Sequence, residues 1–134
     1  MGSSERLRRN RNVVFSCKYH VIWCTKYRRP VLNEAIQERF KLIAYKLGDE
    51  LDCRIVSMEE VEDYVHLLVD VDPQFGMHKF VKRVKGRSSR LLRQEHKSLR
   101  TRLPTLWTNS YFVASVGGAP RETMKQYIEE QRGK

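Results

Sequence analysis

The sequence predicts an α+β fold of the ferredoxin-like, split β-α-β type, and the order of its patterns is the main reason. Strand-like and helix-like segments follow one another as β-α-β-β-α-β, and one extra helix ends the chain. This order places helices on one face of a mostly antiparallel sheet. A chain of 134 residues supports one hydrophobic core. We therefore expect one domain over residues 13–134, preceded by a flexible basic arm over residues 1–12.

The first half of the chain contains a strand and a helix. Residues 15–28, FSCKYHVIWCTKYR, are rich in aromatic and β-branched residues, which favours a strand that Pro30 ends. Asn33 is a suitable helix N-cap, and Gly48 supplies a helix stop. Between them, apolar residues recur at helical spacing: Ile36, Phe40, Ile43 and Leu47. This segment is the first predicted helix.

The middle of the chain predicts a hairpin and then a helix. The runs CRIVSMEEV and YVHLLVDV are separated by a polar turn around Glu62 and Asp63, which favours an antiparallel hairpin closed by Pro73. From Met77 onward an apolar stripe runs through a strongly basic stretch, so the second helix is amphipathic.

The last third predicts a strand and the extra helix. Residues 106–116 have the composition of a fourth strand, and Gly117 with Gly118 makes a flexible joint. The final helix is predicted over about residues 120–132, with Pro120 in its first turn.

Charge and cysteine content narrow the function classes. The chain has 26 Lys and Arg against 16 Asp and Glu, a net charge of +10 that favours a polyanion such as nucleic acid as partner. The three cysteines lack CxxC spacing, which supports neither a disulfide framework nor a zinc finger. No apolar run approaches the roughly 20 residues of a membrane span, and no secretory signal opens the chain. We expect a cytoplasmic protein without a membrane partner.

The second helix is the leading candidate for nucleic-acid contact. Seven cations without an intervening acid fit a phosphate backbone better than an ordinary solvated face, and they are Lys79, Lys82, Arg83, Lys85, Arg87, Arg90 and Arg93. Arg28, Arg29 and the N-terminal arm are weaker candidates. Three aromatic residues are candidates for stacking on unpaired bases or for ordinary packing: Tyr27, Trp107 and Tyr111.

Two segments carry candidate catalytic chemistry. On the strand EDYVHLLVDV, alternation places Tyr64 and His66 on one face and the valines and Leu67 on the other. In the final helix, Tyr127 and Gln131 are four residues apart and share a face. A half-buried structural histidine and a rim tyrosine are the alternatives to a functional site.

Five fragments in register carry a family resemblance, from about Tyr19 to Gln131: YHVIWCTKYRRPVL, VHLLV, VKRVKGRSSRLL, LWTNSYFVASVG and YIEEQ. Together they resemble the single-tyrosine HUH transposases, TnpA-like enzymes of small insertion sequences that move as single-stranded DNA. The resemblance implies that Tyr127 is the nucleophile, with His66 and Gln131 as ligands of a divalent metal, for which these mixed imidazole and amide-oxygen donors favour Mg²⁺ or Mn²⁺. It also implies hairpin recognition at element ends and a homodimer in which the tyrosine helix of one subunit completes the metal site of the other.

One position departs from the family pattern of two histidines around a hydrophobic residue. The first histidine is replaced by Tyr64, whose phenol is a poorer ligand at neutral pH than imidazole. Three explanations stay open: Tyr64 ligates the metal, a water or carboxylate fills the gap, or catalysis is lost and DNA binding is kept.

The resulting expectation is a metal-dependent DNA strand transferase that cleaves and rejoins single-stranded DNA through a 5′-phosphotyrosine. The alternatives are a catalytically silent hairpin-binding protein on the same fold and an unrelated ferredoxin-like RNA-binding module.

Overall fold

The elements follow the predicted order, with short additions. The computed structural model describes residues 7–117 and 121–134. In chain order the strands are β1 (Arg8–Arg9), β2 (Val14–Phe15), β3 (Lys18–Cys24), β4 (Arg54–Glu60), β5 (Tyr64–Asp70) and β6 (Phe112–Ser115). The helices are α1 (Glu34–Glu50), α2 (Met77–Glu95), α3 (Lys97–Arg102) and α4 (Arg121–Glu130), with a 3₁₀ turn over Lys26–Arg28.

The main sheet is antiparallel throughout, in the order β4-β5-β3-β6. This is the order of the split β-α-β arrangement, so the predicted fold class is confirmed. Strand β3 lies inside the sheet and pairs with both β5 and β6, and Ile22 is level with His66 on one side and with Phe112 on the other. Paired residues point to the same face of a sheet. His66, Ile22 and Phe112 therefore form one row across it.

The hydrophobic core lies on the opposite face of the sheet, under α1 and α2. Alternate residues of β3 and β5 face this core, and five of them are fully buried: Val21, Trp23, Val65, Leu67 and Val69. Trp23, Phe40 and Trp107 meet edge to face, with ring centroids 5.7 to 6.2 Å apart. Trp107 is thus a core residue and not a platform for bases. Its indole nitrogen donates to Ser88 Oγ at 3.0 Å.

Several predicted boundaries differ from the structure. The long first strand is limited to β3, because the chain turns through the 3₁₀ segment before Pro30. The fourth strand covers only β6, and Trp107 contributes a single bridge to Thr25. Helix α3 was not predicted. The Asn33 cap is confirmed, since its side chain accepts from the Ile36 amide at 3.0 Å.

The N-terminal segment from Leu7 contacts the rest of the molecule. Strands β1 and β2 form a small antiparallel pair, and the Arg8 guanidinium donates to the backbone carbonyls of Asp70 and Asp52 at 2.8 and 2.9 Å. Asn10 donates to the Asp72 carboxylate at 2.8 Å. These contacts attach the second half of the predicted arm to the end of β5.

No helix in the described ranges is long and apolar enough to cross a membrane.

Gly48 does not end α1 as predicted, because the helix continues to Glu50. It is buried, and a Cβ at this position would lie 2.7 Å from the Cys53 carbonyl oxygen. The glycine therefore permits close approach between α1 and the start of β4.

We expect opposite effects from alanine at two helical glycines. Gly48→Ala should destabilise the fold by about 1–3 kcal/mol, the usual cost of overpacking. Gly86→Ala in α2, where an added Cβ meets nothing within 4 Å, should stabilise it by about 0.5–1 kcal/mol through helix propensity. Urea unfolding of both variants measures the two free energies. A stabilising Gly48→Ala would contradict the close packing described above.

Candidate active site

The open face of the sheet carries the predicted histidine. His66 and Tyr64 point away from the core on β5, and His20 on β3 points the same way. They line a cleft of about 540 Å³ between the sheet and α4, together with Ile22, Ser57, Met58, Glu59, Leu68, Arg121, Met124, Lys125 and Ile128. The apolar pair on α4, Met124 and Ile128, docks the helix over this face.

His20 and His66 are in direct contact. The Nδ1 atom of His20 and the Nε2 atom of His66 are 3.0 Å apart, and the two rings are tilted by 47°. Burial lowers the pKa of His66, and the neighbouring His20 lowers it further. Both effects favour a neutral imidazole with a free lone pair, the form that binds metals.

Tyr64 is less suited than His66 to bind a metal in this position. It lies one row further along the sheet, level with Cys24 rather than with Ile22. Burial raises the pKa of Tyr64, and the charges of Glu59 and Asp63 raise it further. The phenol is therefore held protonated at neutral pH.

Tyr127 and Gln131 meet at a serine that the sequence reasoning missed. Ser110 Oγ lies 2.8 Å from Tyr127 Oη and donates to Gln131 Oε1 at 3.1 Å. A serine hydroxyl has one hydrogen. Because that hydrogen goes to Gln131, the phenol of Tyr127 donates its own proton to Ser110.

The tyrosine is half-buried against the edge strand. Its ring packs on Phe112 of β6 with centroids 5.7 Å apart. Burial raises the pKa of Tyr127 to about 12. The Tyr127 hydroxyl is consequently protonated near pH 7. Gln131 is only 6% exposed, and its side-chain oxygen accepts the hydrogen bond from Ser110.

Two groups of side chains lie on different sides of the open face. The tyrosine group is Tyr127, Gln131 and Ser110, and the histidine group is His20 and His66. Phe112, Ile22 and His66 stand in one row, and strands are about 4.8 Å apart, which puts Phe112 and His66 about 10 Å apart at Cα. Tyr127 and Gln131 lie at the Phe112 end. In the described part of the chain, no three His, Cys, Asp or Glu side chains form a ready metal site. The assignment of Tyr64, His66 and Gln131 as metal ligands stays a prediction. Dependence on Mg²⁺ or Mn²⁺ stays a prediction.

Lys85 supports the loop that carries Ser110. Its ammonium group donates to the carbonyls of Thr108, Asn109 and Ser110 at 2.7, 3.3 and 3.1 Å. Three N–H donors meet three acceptors in this arrangement. Burial lowers the pKa of Lys85 to about 8, which still leaves the amine charged at pH 7. This predicted DNA-contact residue is thus engaged inside the protein.

Arg28 is also engaged internally, at the end of α4. Its guanidinium contacts Asp63 Oδ2 twice, at 3.0 and 3.2 Å, and donates to the Ile128 carbonyl at 3.3 Å. Tyr27 and Arg28 both have left-handed backbone angles, with φ of 59° and 53°. Such angles cost of order 1–3 kcal/mol for a residue with a side chain. Here they direct Arg28 toward the hairpin turn and the tyrosine helix.

The other predicted nucleic-acid residues divide into exposed and engaged groups. The exposed cations are Lys79, Lys82, Arg83, Arg90 and Arg29. Arg87 pairs with Glu50 at 3.0 Å, and Arg93 donates to the Leu103 carbonyl at 3.4 Å. Among the aromatic candidates, Tyr27 is 40% exposed and Tyr111 stacks on His78.

Sequence reasoning missed His20, Ser110 and the internal role of Lys85. Alternation along KYHVIWC did place His20 on the face away from Val21 and Trp23, so a signal existed. Ser110 lies in an irregular loop whose pattern contains no periodic information.

Comparison with known proteins gives the family. The family model described as "Transposase IS200 like" matches residues 13–131. The chain belongs to the IS200-like transposase family. The predicted resemblance to such transposases is thereby confirmed.

Relatives of this transposase match over nearly their full length. The ISDra2 transposase TnpA of Deinococcus radiodurans is 33% identical over 130 residues, which cover 96% of this chain and 93% of that protein. The transposase for insertion sequence element IS200 of Salmonella typhimurium is 28% identical, with 98% and 85% covered.

Solved structures agree with the fold of this transposase. A crystal structure of a protein assigned as a transposase from Deinococcus radiodurans R1 has a TM-score of 0.86 at 34% identity and covers 95% of this chain and 99% of that one. A REP-associated tyrosine transposase bound to a REP hairpin has a TM-score of 0.58 at 8% identity, covers 91% and 68%, and supports the fold alone.

Removal of the Ser110 hydroxyl should loosen the tyrosine helix of the transposase. Ser110→Ala deletes one contact with Tyr127 on α4 and one with Gln131 in the turn just after it, and we expect a loss of about 1 kcal/mol, or about fivefold faster amide hydrogen exchange, confined to α4 and that turn. Ser115→Ala on exposed β6 is the matched control. Unchanged exchange across α4 in Ser110→Ala would show that Ser110 does not hold the helix.

Proposed function

We propose that this IS200-like transposase cleaves and rejoins single-stranded DNA through a covalent link between Tyr127 and a 5′-phosphate. The observation that carries the proposal is the placement of Tyr127 on α4, with its hydroxyl at the Ser110 loop, where Gln131 from the turn just after α4 meets the same serine. The shared contact with Ser110 brings the hydroxyl of the candidate nucleophile and the candidate glutamine ligand to one place.

The reaction is balanced without an energy-donating cofactor. Tyr127 Oη attacks the phosphorus and loses its proton, the bond from phosphorus to the 3′ oxygen breaks, and that oxygen leaves as a 3′-hydroxyl after taking up a proton. The new phosphodiester keeps the bond energy. A second 3′-hydroxyl can then attack the phosphotyrosine and restore both a DNA strand and the free phenol.

The path of the DNA is proposed along α2 and the Ser110 loop. A cleft of about 440 Å³ lies between α2 and residues 105–111 and is lined by Lys82, Lys85 and Asn109 among others. Ser110, the next residue, contacts Tyr127. A strand whose phosphates follow the exposed cations of α2 would thus arrive at the tyrosine. Electrostatic binding of this kind weakens steeply with salt.

Cleavage requires the tyrosine group to meet the histidine group. Within one chain Ile22 stands between His66 and Phe112, the residue on which Tyr127 packs. This spacing supports the homodimer expected from the resemblance, in which Tyr127 of one subunit acts with His66 of the other. Gly117 has φ of +88°, a conformation suited to glycine at a change of chain direction before α4. Gly118 and Pro120, the rest of the predicted joint, lie outside the described residues.

The test is covalent capture of DNA. End-labelled single strands spanning the DNA that flanks the coding sequence are incubated with protein and Mn²⁺, and adducts are resolved on a denaturing gel. We expect an adduct with the wild type and with Tyr45→Phe, a control on the outer face of α1 with a side chain 39% exposed. Tyr127→Phe should reduce the adduct below detection, because the attacking oxygen is absent.

An adduct that persists in Tyr127→Phe would contradict the assigned nucleophile. Hairpin binding without any adduct, or an adduct that forms only after Tyr64→His, would favour the silent DNA-binding alternative. That alternative is kept because Tyr64 replaces a family histidine. Membership of a transposase family leaves the RNA-binding alternative without support.

A further inference from the structure

We propose that His20, and not Tyr64, is the ligand that joins His66 in a site for a divalent transition metal on the open face. This inference rests on the proposed function in one respect: the metal concerned is the one expected to assist DNA cleavage. The observation behind it is the contact between His20 Nδ1 and His66 Nε2 at 3.0 Å.

The spacing of the two nitrogens suits chelation once the rings turn, because in the hydrogen bond each nitrogen points at the other, whereas both lone pairs must point at one ion. Two imidazole nitrogens, each about 2.1 Å from one ion and at a right angle, stand about 3.0 Å apart. In the metal-free pair one ring donates an N–H to the other. To bind the metal, that ring must carry its proton on its other nitrogen. It therefore changes tautomer, and no proton is lost overall.

Glu59 is the third donor in this proposal. It is level with His66 in the pairing of β4 with β5, so both side chains leave the same face of the sheet. Directly paired residues have Cβ atoms about 4.5–5.5 Å apart. Glu59 is exposed and lines the same cleft as both histidines. The three side chains do not form a ready metal site as they stand, so the proposal requires the Glu59 carboxylate to change rotamer when an ion binds.

Tyr64 has a less favourable position than His20. Residues 64 and 66 are two apart on one strand, about 6.6 Å, and Tyr64 faces the row of Cys24. His20 instead lies diagonally across from His66 on the neighbouring strand, and the rings already touch. The adjacent strand thus supplies the imidazole that position 64 lacks.

Two imidazoles and one carboxylate select the class of metal. Such ligands suit Mn²⁺, Fe²⁺, Co²⁺, Ni²⁺ or Zn²⁺, whereas Mg²⁺ prefers oxygen ligands and retained waters. Between the two expected cations, Mg²⁺ and Mn²⁺, this donor set favours Mn²⁺.

Titration of the full chain with Co²⁺ tests the site without DNA, because the visible absorption of Co²⁺ reports its ligands. We expect one site, and His20→Ala and His66→Ala should each weaken it at least tenfold, the lower bound for loss of a supporting group around a metal. Tyr64→Phe should change the affinity less than twofold. His96→Ala, a histidine at the junction of α2 and α3, is the matched control.

Two results would overturn the inference: no Co²⁺ binding by the wild type, or weakening by Tyr64→Phe with none by His20→Ala. The midpoint of urea unfolding confirms that each variant folds, and His20→Gln replaces His20→Ala if it does not. The covalent adduct is scored separately. Co²⁺ binding without an adduct keeps the inference and contradicts the proposed function, whereas an adduct without Co²⁺ binding does the reverse.

Discussion

The pairing of β3 on both of its edges is the constraint on which the fold and the candidate site depend. Its hydrogen bonds to β5 and β6 fix a register in which Val21 and Trp23 enter the core while His20 and Ile22 face α4. A slip by one residue would exchange the two faces and expose the core tryptophan. Burial of the core thereby also determines which rings meet on the open face, so stability and site geometry have one origin.

The regular part of the fold was predictable because local sequence patterns specify it. The hairpin of β4 and β5, the Asn33 cap and the order of elements all follow from patterns within about 15 residues. Boundaries set by distant contacts did not follow. Gly48 sits inside α1 because the Cys53 carbonyl approaches it, and residues 106–111 are held by Lys85 and by the bridge at Thr25 instead of extending β6.

The candidate site was predictable only in part, for the same reason. Helical spacing placed Tyr127 and Gln131 on one face, and strand alternation placed Tyr64 with His66. Their partners are remote in sequence, since His20 and His66 are 46 residues apart and Ser110 and Tyr127 are 17 apart. Basic composition likewise could not separate Lys82, which is exposed, from Lys85, which stabilises the Ser110 loop.

The arrangement within one chain resembles a resting state. Ser110 holds the phenol and the glutamine, Arg28 holds the end of α4, and burial keeps the Tyr127 proton in place. Cleavage then depends on bringing this group to the imidazole pair, and a second subunit can supply the missing half to each site.

Complementation between two inactive variants tests this account most directly. Tyr127→Phe and His66→Ala proteins are mixed under conditions that exchange subunits, and adduct formation is measured against each protein alone. The account predicts that mixing restores the adduct, linked to the His66→Ala chain, because one site of each mixed dimer then combines an intact His66 with an intact Tyr127. Mixed dimers that form and give no adduct would contradict it, and would place Tyr127 and His66 in the same chain during catalysis.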